Sequence, residues 1–243
     1  MLNTFTSEWT KLRTTPAFWW TSALVLGLPL VFAAAFGAMD TPESFSYIPL
    51  SVVMMVASCT TLIVTLQAIM TVTTEYRHGT HATTFRINPN RWQVAVAKLV
   101  LASLIGAVLT FVALVLAFTI GDALAFNPAH WTTNPATTRA LWALPLAAVF
   151  VVMFSQGLGW IVRNTAGAVT LAFALQFVIE ALVSFLPRIG QDLAEYMPFS
   201  NLYAFMLNTP RGGLDPWEAL GVYAVWAVVV WIIGLVLLHT RDA

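Results

Sequence analysis

Six times along the chain a long apolar run is followed by a short polar interruption. Crossing about 30 Å of hydrocarbon at about 1.5 Å per residue takes about 20 residues. Runs of that length are expected as spans at 17–38, 49–74, 94–120, 140–162, 166–186 and 217–239. Residues 1–14 precede the first run. There Leu2, Phe5, Trp9 and Leu12 recur at helical spacing while Asn3, Ser7, Thr10 and Lys11 fall away from the stripe, which predicts an amphipathic helix lying at the interface. Trp19 and Trp20 suit the headgroup level at the start of span 1. The longest polar insert, Glu75 to Lys98, separates spans 2 and 3. Glu75 to about Phe85 is expected as a helix, with Asn88-Pro89-Asn90 turning the chain back into span 3. Only Arg163 and Asn164 separate spans 4 and 5, predicting a tight antiparallel hairpin. Residues 187–216 are too short and too polar to span and are expected to fold back as one or two small helices.

Composition agrees with that pattern. The chain is 59% hydrophobic and 9% charged, with mean hydropathy +0.79, whereas soluble domains carry about 25% charged residues. The expected fold class is therefore an all-α integral membrane protein, a single transmembrane domain over residues 1–243. Its net charge of zero gives no bulk attraction to nucleic acid. Lysine and arginine set the orientation. With the N-terminus and the connections after spans 2, 4 and 6 on one side, that side holds eight basic residues and the other three, Arg139, Arg188 and Arg211. The positive-inside rule then places both termini and the basic insert in the cytoplasm.

Candidate chemistry is sparse. The only lysines, Lys11 and Lys98, follow Thr10 and Ala97, so neither belongs to a Gly-Lys-Ser/Thr phosphate loop. The chain is not expected to be an enzyme, and any ATP hydrolysis must come from a separate chain. Glu75, His78 and His81 are spaced three apart, but the outer two diverge on a helix that Gly79 weakens, so no metal site is expected. No two histidines share a span, which speaks against a membrane-embedded enzyme. Cys59 is the lone cysteine and reads as a core or lumen residue. Glu180, one turn after Gln176 in span 5, stands out because intramembrane acids are costly and face a bundle interior or a wet cavity. Gln67 is a milder case in span 2. Ser155, Gly157 and Gly159 read as a small-residue packing surface.

Ser7-Glu8-Trp9-Thr10-Lys11-Leu12-Arg13 before a Trp-containing first span, Thr74-Glu75-Tyr76-Arg77-His78-Gly79-Thr80 after span 2, then Pro89-Asn90-Arg91 and Lys98, resemble bacterial permeases of the ABC-2 type. His81 departs from the aliphatic residue many relatives carry there. The resemblance covers the whole length. It implies an exporter subunit in the bacterial inner membrane that binds no cofactor itself, with ATP and Mg on a partner ATPase. It also implies pairing with a second copy or a related permease in the lipid bilayer. Trp9, Lys11, Glu75, Tyr76, Arg77, His78, Gly79, Thr80 and Arg86 would then form the cytoplasmic segments that couple to the ATPase. Spans 2 and 5 would line the path, with Met55, Cys59, Gln67, Phe173, Gln176, Phe177 and Glu180 near an amphiphilic drug, antibiotic, peptide or lipid. The alternatives are a non-pumping immunity or sensor protein and, less favoured, a membrane-embedded enzyme.

Overall fold

A computed structural model describes residues 2–43, 47–87, 90–128 and 130–241. Asn88 and Pro89, on which the expected turn into span 3 rests, lie outside the described residues. Helices supply nearly all the regular structure there: α1 (Leu2–Thr14), α2 (Pro16–Ala38), α3 (Pro49–Arg77), α4 (Thr80–Ile87), α5 (Arg91–Leu124), α6 (Pro135–Val162), α7 (Thr165–Ser184), α8 (Gly190–Ala194), α9 (Pro198–Leu207) and α10 (Pro216–Arg241). Six of them, α2, α3, α5, α6, α7 and α10, are long and apolar enough to cross a membrane. Proline at the first helical position starts α2, α3, α6 and α9, where its missing N–H costs nothing. Asn134 and Asn164 cap α6 and α7, their side chains accepting from the amides of Ala136 and Gly167.

The core is built around α3 and α6, which are buried over most of their length, whereas the other four spans are buried over less than a third. Close packing there depends on small residues. A Cβ on Gly157 would fall 2.8 Å from the backbone of Val230 and Trp231, and one on Gly234 2.9 Å from the Gly157 carbonyl, so α6 and α10 meet backbone to backbone. Between α6 and α7 the chain reverses at Arg163, in the left-handed region (φ 56°), and Asn164.

One boundary differs from the sequence pattern. The expected helix from Glu75 to Phe85 is broken: Glu75, Tyr76 and Arg77 form the last turn of α3, and the short helix starts only at Thr80. Gly79 adopts φ +68°, a backbone state that L side chains rarely take, and its amide bonds the Tyr76 carbonyl as α3 ends. The segment between α7 and α10 folds back as α8 and α9. Phe199, Leu202 and Phe205 of α9 are wholly buried in the main core, so this helix is inserted into the bundle rather than laid over it.

Candidate functional site

At the end of the bundle that carries the N-terminus, both lysines of the chain meet two glutamates. Lys98 Nζ, near the start of α5, donates to Glu8 Oε2 of α1 (2.5 Å), to Glu75 Oε1 of α3 (2.9 Å) and to the Thr71 carbonyl (3.2 Å). Lys11 Nζ donates to Glu8 Oε1 (2.7 Å), Glu75 Oε1 (2.8 Å) and Thr84 Oγ1 of α4 (3.2 Å). Two carboxylates and two ammoniums sum to zero charge, and each ammonium has three acceptors. That satisfaction lets the Lys98, Glu8 and Glu75 side chains stay buried, at 4%, 4% and 8% exposure. Lys11 sits on the rim at 39%. Burial pulls its pKa down, but Glu75 and then Glu8 outweigh that pull and leave it raised. One quartet thus binds α1, the end of α3, α4 and the start of α5.

The turn from α3 into α4 is held by a second set of contacts. Tyr76 lies between the Arg163 guanidinium, 5.0 Å from its ring centre, and the His81 ring, stacked at 4.7 Å. Arg163 also donates to the Leu237 carbonyl (3.0 Å), and Arg91 to that of Leu238 (2.9 Å), satisfying carbonyls near the C-terminus of α10. His78 Nδ1 lies 2.9 Å from the Thr74 carbonyl and Thr80 Oγ1 donates to that of Glu75 (3.4 Å). Arg77 and Arg86 are exposed. Trp9 is 40% exposed and meets Phe18 edge-on. The structure therefore gathers Glu75, Tyr76, Lys11 and Thr80 at one junction and leaves Arg77, Gly79, Arg86 and part of Trp9 facing outward. Glu75, counted from the resemblance among the residues that couple to the ATPase, turns inward to the lysines.

The residues singled out in spans 2 and 5 fall into two groups. A π-helical turn at Leu175–Ile179 interrupts α7; Gln176 within it and Glu180 immediately after it both face α9. Gln176 Nε2 donates to the Tyr203 hydroxyl of α9 (3.1 Å). The Glu180 carboxylate accepts from the amides of Phe199 (2.5 Å) and Ser200 (2.8 Å) and from the Ser200 hydroxyl (2.6 Å). It caps the N-terminus of α9, where unpaired amides and the helix dipole favour an anion. Met55, Cys59 and Phe173 are half-buried, and Phe177 is exposed beside Phe173. Gln67 lies apart from this group. Its side chain donates to Ser22 of α2 (3.1 Å) and borders a cavity at the quartet.

Glu8 and Lys98 were not paired on sequence grounds. The available signal was chemical: an apolar segment that holds a lysine must supply an acid, and Glu8 interrupts the amphipathic pattern of α1. Residues 4–179 of the chain match the family model described as ABC-2 family transporter protein. No curated protein matches the chain.

Proposed function

We propose, from the premise that this chain belongs to the ABC-2 family of transporter proteins and is a membrane permease subunit of an ABC transporter, that it couples export to a separate ATPase through α4 and α1. The observation that carries this reading is the buried quartet. It makes α1, α4 and the adjoining ends of α3 and α5 one mechanical unit. A force applied to the exposed face of α4 is then delivered to the second and third spans rather than lost in a flexible loop. Arg77 and Arg86, exposed on either side of Gly79, are the charges offered to the partner's surface. The lysine- and arginine-rich end lies in the cytoplasm of the inner membrane, with both termini there, and the chain pairs with a second copy or a related permease.

The substrate path runs between α3 and α7, where Met55, Cys59, Phe173 and Phe177 leave apolar and thiol surface uncovered by the rest of the chain. That lining suits an amphiphilic drug, antibiotic, peptide or lipid. Glu180 shapes this region by fixing α9.

Gly79→Ala tests the coupling. Its Cβ would meet nothing within 4 Å, so the cost falls on the backbone at φ +68° and the α3–α4 turn is forced to change. The variant should fold and still bind its ATPase, while transport falls at least tenfold and ATP hydrolysis loses its dependence on substrate. A permease that neither co-purifies with an ATPase nor alters its turnover would overturn the reading. Resistance to a toxic amphiphile that persists with an inactive ATPase would assign the chain to a non-pumping immunity role.

A further inference from the structure

A cavity of about 350 Å³ opens beside the quartet, between α1, α2, α3 and α5. That volume lies at the small end of the range for ligand pockets, about 300–1,000 Å³. One part of its wall is apolar or weakly polar, with Leu12, Phe18, Met70 and Leu101; the other carries Glu75, Lys98 and threonine hydroxyls. The wall is therefore amphipathic.

The polar part of the wall is rich in acceptors. Lys98 and Lys11 each already donate to three acceptors, the full capacity of an ammonium. The hydroxyls of Thr14, Thr15, Thr21 and Thr74 donate to backbone carbonyls of the preceding turn. Donors in the wall are thus largely spent, whereas each hydroxyl oxygen keeps acceptor capacity. Glu75 Oε2 is buried and has no hydrogen-bond partner among the described residues, although Oε1 of the same carboxylate accepts from both lysines. A buried carboxylate oxygen without a donor is costly, and because Oε2 is closed off in this arrangement, a cation with N–H bonds satisfies the carboxylate by taking the place of Lys11 beside the cavity.

We propose that this cavity binds an amphiphile bearing a protonated primary amine, its ammonium at Glu75 and its chain along Phe18, Met70 and Leu101. Lys11, on the rim and far more exposed than Lys98, is the cation that an incoming ammonium displaces. Occupancy then loosens α1 from Thr84 of α4 while Lys98 keeps the core of the quartet closed. The site lies at the basic end of the spans, apart from the α3–α7 surface. It stands whether or not α4 docks an ATPase.

The test uses full-length protein in phosphatidylcholine nanodiscs, with decylammonium, decyl sulfate and decanol as probes. Decylammonium should bind saturably, at least tenfold tighter than the other two, and should change hydrogen exchange of the amides of residues 8–18. Met70→Trp, which fills the apolar part without touching a charge, should abolish the saturable component, and Glu75→Gln should weaken it about tenfold. Equal binding of decyl sulfate, or saturable binding unchanged in Met70→Trp, would overturn the proposal, and the headgroup series needs no variant to fold. Nanodiscs of phosphatidylethanolamine separate two sources of the amine. Several-fold weaker decylammonium binding there identifies a bilayer lipid headgroup as the natural occupant, and equal affinity identifies a free amphiphile.

Discussion

The two ends of the bundle solve the same problem, a carboxylate wholly or partly withdrawn from water, in opposite ways. At the end with the N-terminus, Glu8 and Glu75 meet the ammoniums of Lys11 and Lys98, side chain to side chain across three elements. At the other end the carboxylates meet neutral donors, mostly backbone amides. Asp40 accepts from the amides of Tyr47 (3.3 Å) and Asn127 (2.8 Å), Asp122 from the Tyr47 hydroxyl (2.7 Å) and the Trp131 amide (3.2 Å), and Glu180 caps α9. A side-chain ion pair can exchange partners by rotating a few bonds. An amide-capped carboxylate has partners fixed in the backbone, which cannot swing to a new acceptor unless the helix or loop moves. The lysine end can thus be re-paired while the far end stays fixed, a division that suits the coupling proposed above.

The largest effect expected from breaking this contrast is at Lys98. Lys98→Met leaves Glu8 and Glu75 close together with only the rim lysine between them. Removing one partner of a buried ion cluster costs about 3–5 kcal/mol. The thermal midpoint in detergent should fall sharply or the protein should fail to purify as a single species. Adding Glu8→Gln should recover part of the loss, because Lys11 then suffices for Glu75. A double variant no better than the single would mean that the quartet is not a charge-balanced unit. Next in size is Glu180→Ala, which strands the amides of Phe199 and Ser200 at a cost of about 2–3 kcal/mol. Hydrogen exchange should quicken across α9 and remain unchanged in α1; a change in both would erase the contrast between the two ends.

Much of the fold was legible in the sequence because spans are written as uninterrupted apolar runs, and the backbone's need for internal hydrogen bonds in lipid makes each such run a helix. The helix ends were less legible. That Glu75 faces inward in the last turn of α3 depends on its partner Lys98, which is 23 residues further on. Glu8 and Lys98 are 90 residues apart, so no local periodicity joins them. Glu180 was legible as a costly intramembrane acid, but its partners are backbone amides of α9, which leave no trace in residue type. Gly79 was legible only as weakening a helix expected to run from Glu75 to Phe85; its left-handed stop at φ +68° was missed, although a glycine between an apolar and a polar helical run is the local signal for one.

Smaller effects sharpen the comparison. Tyr47→Phe removes one donor from Asp122 and should cost about 1.5 kcal/mol, read as a lowered midpoint with no change in transport, since it touches only the fixed end. The Tyr47 hydroxyl is kept protonated, because burial and then the Asp122 carboxylate raise its pKa. That contact should therefore persist into alkali. A reduced transport rate in a stable Tyr47→Phe variant would show that the far end moves as well.

Lys11 gives the smallest signal and the most specific one. Its pKa is raised in the folded protein, so the charged form is favoured by folding. The stability it contributes is fully present below its ordinary value of 10.5 and is lost as pH rises through the higher folded value. Being partly exposed, the residue contributes only a screened fraction of what a buried pair would. The thermal midpoint of the wild-type chain should therefore decline above about pH 10, with lysine deprotonation beginning to release α1 from Glu75 and Thr84. Lys11→Met should start lower and lose part of that alkaline decline, and high salt should narrow the gap between the two at neutral pH. Coincident alkaline profiles for the two proteins would place the working cation of the quartet at Lys98 alone and make α1 a passive cover.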